Sequence, residues 1–101
     1  MIDLSVIIPV YNASALIERA LDSIFKQTTK YNFEVLCIDD GSTDNSVELI
    51  EQFSKAHDNG CIRVLRQQNA GPSVARNNGV GHVESRYVTF IDADDYWEDG
   101  Y

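Results

Sequence analysis

The sequence predicts an α/β fold with a parallel sheet, because short apolar runs rich in β-branched residues alternate with helical segments. Each pair of consecutive apolar runs is joined by a helix-containing segment, as right-handed crossovers between parallel strands require. The length of 101 residues is that of one ordinary domain. We therefore expect residues 1–101 to form a single α/β domain.

The elements are predicted in strict alternation, beginning and ending with a strand. The first apolar run is nearly continuous, which is typical of a strand buried on both faces. Ser14 is placed to cap the first helix and Thr43 or Asp44 the second, and Pro72 lies near the first position of the third, where proline's missing N–H does no harm. The predicted strands cover residues 4–10, 33–38, 61–65 and 87–91.

The negative charge is concentrated in two segments. Sixteen acidic and eight basic residues give a net charge of −8, and residues 39–44 and 92–99 hold three and five of the acids with no lysine or arginine. Crowded carboxylates raise one another's pKa unless a cation is supplied, so a divalent ion such as Mg²⁺ or Mn²⁺ is expected there. The same charge argues against nucleic acid or an anionic membrane as the main partner.

Other classes are excluded by simple patterns. No apolar run approaches the roughly 18 residues of a membrane span, and residues 1–4 lack the basic start of a secretory signal. Cys37 and Cys61 give no disulfide framework and are interpreted as reduced thiols of a cytoplasmic chain.

Polar residues follow three of the predicted strands. Tyr11 and Asn12 follow the first, Asp39 and Asp40 follow the second, and the acidic segment 92–95 follows the fourth. Ligands of open parallel sheets bind beyond the carboxyl ends of the strands. We therefore expect these strand ends to converge on one crevice.

The start of the third helix is a further candidate. Gly71, Pro72 and Ser73 form a tight helix start whose free N–H groups are expected to meet an anion, with Arg76 one turn further. The alternative is a helix start with a structural role alone.

Four segments, in this order and spacing, together resemble the family 2 glycosyltransferases. The resemblance implies the GT-A fold, a sheet order of 3-2-1-4, a nucleotide-diphospho-sugar donor such as a UDP-sugar, and Mn²⁺ or Mg²⁺ as cofactor. It covers nearly the whole chain and is carried by Val6-Ile7-Ile8-Pro9-Val10-Tyr11-Asn12, Ile38-Asp39-Asp40-Gly41-Ser42-Thr43-Asp44, Asn69-Ala70-Gly71 with Ala75-Arg76-Asn77-Asn78-Gly79, and Phe90-Ile91-Asp92-Ala93-Asp94-Asp95.

The resemblance also implies individual roles. Pro9 and Tyr11 would line the nucleobase pocket, Asp40 would accept the uracil N3–H, and Arg76 would lie beside the base or its acidic partners. Asp94 would reach the ribose or the metal, with Asp94 or Asp95 holding the metal. The complete expected nucleotide-sugar-binding set is Pro9, Val10, Tyr11, Asn12, Asp39, Asp40, Arg76, Asp92, Ala93 and Asp94.

The resemblance leaves the catalytic base unassigned, because family members continue well beyond the acidic motif. We expect the base beyond residue 101, with neither Glu98 nor Asp99 in that role, and no sugar transfer by this chain alone. A longer enzyme would transfer sugar to a glycan or lipid-linked acceptor in polysaccharide biosynthesis, at the inner face of a membrane. The alternative is a nucleotide-binding or oligomerising fragment without transferase activity.

The predicted fourth strand lies at an edge of the sheet. Bare apolar edges recruit partners, so we expect self-association through residues 87–91 or through the nearby Tyr96 and Trp97.

Overall fold

The computed structural model describes residues 2–27, 32–57 and 61–92. Within these ranges, strands and helices alternate as the sequence predicts, and none of the helices is long and apolar enough to cross a bilayer. The strands are β1 Leu4–Val10, β2 Phe33–Asp39, β3 Ile62–Arg66 and β4 Tyr87–Phe90, and the helices are α1 Ile17–Gln27, α2 Ser46–His57 and α3 Pro72–Val80.

The strands form one parallel sheet in the order β3-β2-β1-β4, which confirms the expected order. Val10 on β1 pairs with Asp39 on β2, and Ile7 on β1 pairs with Phe90 on β4. The chain moves from β1 to β2 on one side and later returns to β4 on the other side, so the strand order reverses at β1. A crevice for a ligand is expected at such a point, beyond the carboxyl ends of the strands.

Strand β1 is buried on both faces, as its apolar run predicts. One face packs against α1 and α2 and the other against α3, which places the sheet between two helical layers. Full burial of a large aliphatic side chain contributes about 1.5–3 kcal/mol, so β1 anchors both layers. The first core includes Val6, Ile8, Val10, Ile17, Leu21, Ile24 and Ile50, and the second contains Ile7, Leu36, Ile38 and Ala75.

The start of α1 differs from the prediction. The helix begins at Ile17, and Ser14 does not cap it, because both its N–H and its hydroxyl bond the Asp44 carboxylate. Hydrogen bonds to an ionised carboxylate are stronger than those between neutral groups, which favours this arrangement of Ser14. Asp44 accepts the N–H of Ser46 and so lies one residue before the cap position of α2, which Asn45 occupies. Strands β2 and β4 differ from the expected bounds by one residue at their C-terminal ends, and β3 is shifted by one residue at both ends.

Both cysteines are free thiols. Burial, with a further contribution from the charge of Asp39, raises the pKa of Cys37 to about 12. A thiol that stays protonated at neutral pH is a poor nucleophile, so Cys37 is a core residue.

Strand β4 presents apolar side chains to solvent. Tyr87 is 63% exposed, and Val88 and Phe90 are exposed as well. Among the described residues β4 pairs with β1 alone. Tyr96 and Trp97 lie outside the described residues, and self-association through this edge stays a prediction.

Candidate functional site

A crevice of about 280 Å³ opens at the carboxyl ends of β1 and β2, beside the segment that follows β4. The three polar strand ends all contribute to it: Tyr11 and Asn12 from β1, Asp40 from β2 and Asp92 from β4. Their predicted convergence is therefore confirmed. The lining residues are Pro9, Val10, Tyr11, Asn12, Ala13, Leu16, Asp40, Pro72 and Asp92.

One wall of the crevice is apolar and carries an aromatic ring. Tyr11 is 53% exposed although the preceding Val10 is fully buried. Pro9 and Leu16 extend this wall. An aromatic side chain beside aliphatic ones suits stacking on a flat ring of a ligand. The sequence did not single out Leu16, because at its helical spacing it is indistinguishable from a core residue.

Asp40 is a buried carboxylate with donors on both oxygens. Its Oδ1 accepts hydrogen bonds from the Nε2 of Gln67 and the N–H of Ala70, each at 2.8 Å. Its Oδ2 accepts the N–H of Gly71 at 3.0 Å and the Nδ2 of Asn69 at 3.4 Å. Burial raises the pKa of Asp40, but the hydrogen bonds from Gln67, Ala70 and Gly71 outweigh it and leave the pKa below its ordinary value. Asp40 is therefore ionised at neutral pH.

Two N–H groups just before α3 donate hydrogen bonds to a carboxylate of this chain. The N–H groups of Ala70 and Gly71 both donate to Asp40, so the anion that the N–H of Gly71 meets is a carboxylate of this chain. Gly71 has a φ of +99°, a conformation that favours glycine. Gln67 and Asn69 were missed as partners, since they lie 27 and 29 residues from Asp40 and no local spacing indicates them.

Asp39 differs from its neighbour in surroundings and partners. It is 3% exposed and shares a face of β2 with Cys37, because alternate residues of a strand point the same way. Its Oδ2 accepts the N–H of Ser42 at 3.3 Å, and its Oδ1 has no hydrogen-bond partner among the described residues. Asp39 does not line the crevice, so the structure brings only Asp40 of the pair into its wall.

An ion pair joins α3 to the segment after β4. The Nη2 of Arg76 lies 2.8 Å from Oδ1 of Asp92, with the side chains 35% and 50% exposed. The structure thus places Arg76 beside the acid Asp92. An exposed pair contributes about 0–1 kcal/mol, so its main effect is to fix both groups at the rim of the crevice.

Both expected metal ligands, Asp94 and Asp95, fall outside the described residues. Ala93, Asp94 and Asp95 lie there, and within residues 2–27, 32–57 and 61–92 no cluster of three or more metal-ligating side chains occurs. The described donor at this position, Asp92, offers half-exposed carboxylate oxygens at the crevice. Hard cations such as Mg²⁺ and Mn²⁺ prefer carboxylate oxygens, so the chemistry of Asp92 suits one ligand of such a cation.

Side chains tie the segment after β1 to the segment after β2. The N–H of Asn12 donates to Oγ of Ser42 at 2.9 Å, and the N–H of Ala13 donates to Oγ of Ser46 at 2.9 Å. Oδ1 of Asn12 accepts the N–H of Thr43 at 2.7 Å. We call residues 12–14 and 42–46, joined in this way, the inter-loop clasp.

Comparison with known proteins identifies consistent relatives. The family model described as glycosyl transferase family 2 matches residues 5–101. Glycosyltransferase GlyA of Streptococcus pneumoniae serotype 4 is 44% identical over 98 residues, which are 97% of this chain and 14% of GlyA. The chain thus spans about a seventh of the length of that curated relative.

Two solved structures resemble the fold closely. S. aureus TarS in complex with UDP has a TM-score of 0.82 and 36% identity, over 93% of this chain and 28% of that chain. The mannosyltransferase PcManGT from Pyrobaculum calidifontis, in complex with GDP-Man and Mn²⁺, has a TM-score of 0.86 and 28% identity, over 96% of this chain and 30% of that chain.

Proposed function

The chain belongs to glycosyl transferase family 2, and on that premise we propose that its crevice binds the nucleotide diphosphate of a sugar donor, a UDP-sugar. The sheet order and the two solved neighbours assign it the GT-A fold. In this proposal residues 1–101 supply the donor-binding half of a catalytic domain that transfers the sugar to a glycan or lipid-linked acceptor. No described residue is proposed as the general base.

The observation that carries the proposal is the position of the crevice at the reversal of strand order. One cavity there combines an exposed aromatic ring, an ionised carboxylate and a rim acid, contributed by Tyr11, Asp40 and Asp92. A nucleotide diphosphate has a flat base, polar N–H and hydroxyl groups, and a charged end. The ligands named for TarS and PcManGT, UDP and GDP-Man with Mn²⁺, support this class of ligand.

The nucleobase is proposed to lie against Pro9 and Tyr11, with its N–H directed at Asp40. Of the four donors on Asp40, the Nδ2 of Asn69 is the most distant, at 3.4 Å from Oδ2. The same Nδ2 also donates to the backbone oxygen of Asp40 at 3.0 Å. Oδ2 can therefore accept a base N–H while Asn69 keeps a partner.

The diphosphate is proposed to lie toward Arg76 and Asp92. The guanidinium of Arg76 fixes Asp92 at the rim and places positive charge beside the acidic segment. Asp94 or Asp95 is proposed to complete the metal site with Asp92. When bound, Mn²⁺ or Mg²⁺ would neutralise the charge that develops on the departing diphosphate.

The test is a titration of the chain with UDP, with and without Mn²⁺, followed by thermal melts and ligand-observed NMR. A ligand that binds only the folded state stabilises it by mass action, by about 2.7 kcal/mol at a hundred times its Kd. We expect stabilisation by UDP with Mn²⁺ that falls sharply when the metal is chelated. ADP with Mn²⁺ is the control for the base.

Two variants locate the binding. Tyr11→Ala should weaken UDP binding, because it removes the ring of the base pocket. Asp22→Asn is the matched control, since Asp22 is an exposed acid on α1 that pairs with Lys26 outside the crevice. Equal binding of UDP and ADP, or no loss in Tyr11→Ala, would contradict the proposal.

A further inference from the structure

Asn12 is the centre of the inter-loop clasp. Its Oδ1 accepts the N–H of Thr43 at 2.7 Å, the Oγ1 hydroxyl of Thr43 at 3.3 Å and the N–H of Asp44 at 3.3 Å. Its own N–H donates to Ser42. One side-chain oxygen thereby holds two consecutive residues of the facing segment.

The backbone at Asn12 is itself unusual. Its φ is +48°, and it is the non-glycine residue with positive φ among those described. Asparagine is one of the few side chains that tolerate this conformation. A positive φ at a non-glycine residue persists only where surrounding contacts impose it, and here the contacts are those of the clasp.

The strained residue directly follows the ring of the proposed base pocket. Tyr11 is 53% exposed, so burial does not fix the direction of its side chain. Its backbone is held on one side by Val10, which ends β1 in register with Asp39, and on the other side by Asn12. The direction in which Tyr11 leaves the backbone therefore depends on the clasp.

The clasp also reaches the acidic end of β2. Ser42, which accepts the N–H of Asn12, donates its own N–H to Oδ2 of Asp39 at 3.3 Å. Asp44 and Ser46 extend the clasp to Ser14 and Ala13. Both segments that flank the aromatic wall are thus joined through polar side chains.

We propose that Asn12 is a positioning residue of the nucleotide pocket, which aims the Tyr11 ring into the crevice by fastening the segment after β1 to Thr43 and Asp44. This inference rests on the proposed function for the role of the pocket. The resemblance implies that Asn12 binds the nucleotide sugar. In this proposal Asn12 acts through Tyr11 and the backbone instead.

The test compares two substitutions in the full chain. Asn12→Gly permits the positive φ but removes the acceptor, whereas Asn12→Asp keeps an acceptor oxygen and tolerates the same backbone. The first readout is the ¹⁹F NMR signal of Tyr11 in chain labelled with fluorotyrosine, assigned with Tyr11→Phe. We expect Asn12→Gly to shift or broaden this signal and Asn12→Asp to leave it in place.

The second readout is the Kd for UDP with Mn²⁺. We expect binding to be about tenfold weaker in Asn12→Gly, because the ring of the base pocket is then no longer held in its binding orientation. Ile24→Val is the stability control, since Ile24 is fully buried on α1 and its truncation destabilises the fold away from the clasp. This control should leave both the Kd and the Tyr11 signal unchanged.

The outcomes separate the two proposals. A wild-type Tyr11 signal in Asn12→Gly would overturn the positioning role, whatever the affinity for UDP. Absence of UDP binding by the wild-type chain would contradict the proposed function, and the ¹⁹F signal would still decide the role of Asn12. If Asn12→Gly does not fold, Ser42→Ala, which removes the acceptor of the Asn12 N–H, should move the Tyr11 signal in the folded chain; an unmoved signal there would equally overturn the role.

Discussion

The Cγ2 methyl group of Ile7 occupies the space that a side chain at Gly79 would need, because a Cβ at Gly79 would lie 2.7 Å from that carbon. Ile7 is fully buried in β1, and Gly79 lies near the end of α3. The missing side chain lets α3 approach the sheet closely. The same helix carries Pro72 and Arg76 to the crevice, so this contact also supports the candidate site.

We expect Gly79→Ala to destabilise the fold. Overpacking of a core typically costs about 1–3 kcal/mol, and the gain in helix propensity offsets about 1 kcal/mol. The midpoint of urea unfolding should therefore fall. Gly81→Ala is the control, because its nearest contact would be 3.5 Å and its φ of −67° suits alanine. A stability loss as large in Gly81→Ala would argue against the packing explanation.

The adjacent acids Asp39 and Asp40 should respond in opposite directions to replacement by asparagine. Asp40→Asn places an NH₂ group among N–H donors and should lower the free energy of unfolding by about 2–3 kcal/mol. Asp39→Asn removes a buried charge whose Oδ1 has no partner among the described residues, so stability should be unchanged or higher. Denaturant unfolding of the two variants measures the difference. Equal losses would show that Asp39 is as fully bonded as Asp40.

The sequence predicts the fold better than it predicts the partners of the site residues. The apolar run of β1 is a local signal, and parallel-sheet geometry then brings the strand ends together. By contrast, whether Ser14 caps a helix or bonds Asp44 depends on a residue 30 positions away. Asn12 bonds residues 31 and 32 positions along the chain. Such polar contacts are set by the packed loops, so no spacing in the sequence reveals them.

Acid should destabilise the fold in a range set by Asp44. The hydrogen bond from the Ser46 hydroxyl lowers the pKa of Asp44, and burial raises it by less. The pKa therefore falls from 3.8 to about 2. The unfolded state therefore binds a proton first as the pH falls. This contribution to stability is fully present above the unfolded pKa and is lost as the pH falls through the folded pKa.

The measurement is the urea midpoint at about pH 5 and about pH 3. Asp44→Asn should reduce the difference between the two midpoints, because its amide does not titrate. Ser46→Ala should act in the same direction, since it removes the main cause of the lowered pKa. An acid response in Asp44→Asn identical to that of the wild type would assign the effect to other carboxyls.

Strand β4 is expected to mediate self-association of the isolated chain. Tyr87, Val88 and Phe90 are exposed on a strand that pairs with β1 alone among the described elements. A lysine at an exposed edge position opposes edge pairing by charge and solvation. The mass measured by light scattering should therefore rise with concentration in the wild type and less in Val88→Lys. A mass independent of concentration in the wild type would contradict this prediction.

The ion pair between Arg76 and Asp92 should affect ligand binding more than stability. At 2.8 Å and with both side chains partly exposed, it contributes about 0–1 kcal/mol to folding. Arg63 and Glu34, 3.0 Å apart and away from the crevice, form a second ion pair, in which Arg63 also donates to the backbone oxygen of His82. Arg76→Met should therefore change the unfolding free energy little, and no more than Arg63→Met does. In Arg76→Met, however, Asp92 loses its ion-pair partner and the rim loses a positive charge. The Kd for UDP with Mn²⁺ should therefore rise about fivefold, and it should depend less on salt than the Kd of the wild type. Isothermal titration calorimetry at two salt concentrations measures both effects.

Tighter binding by Arg76→Met would instead indicate that Arg76 competes with the metal for Asp92. An equal change of the Kd in Arg63→Met would indicate a general effect of net charge.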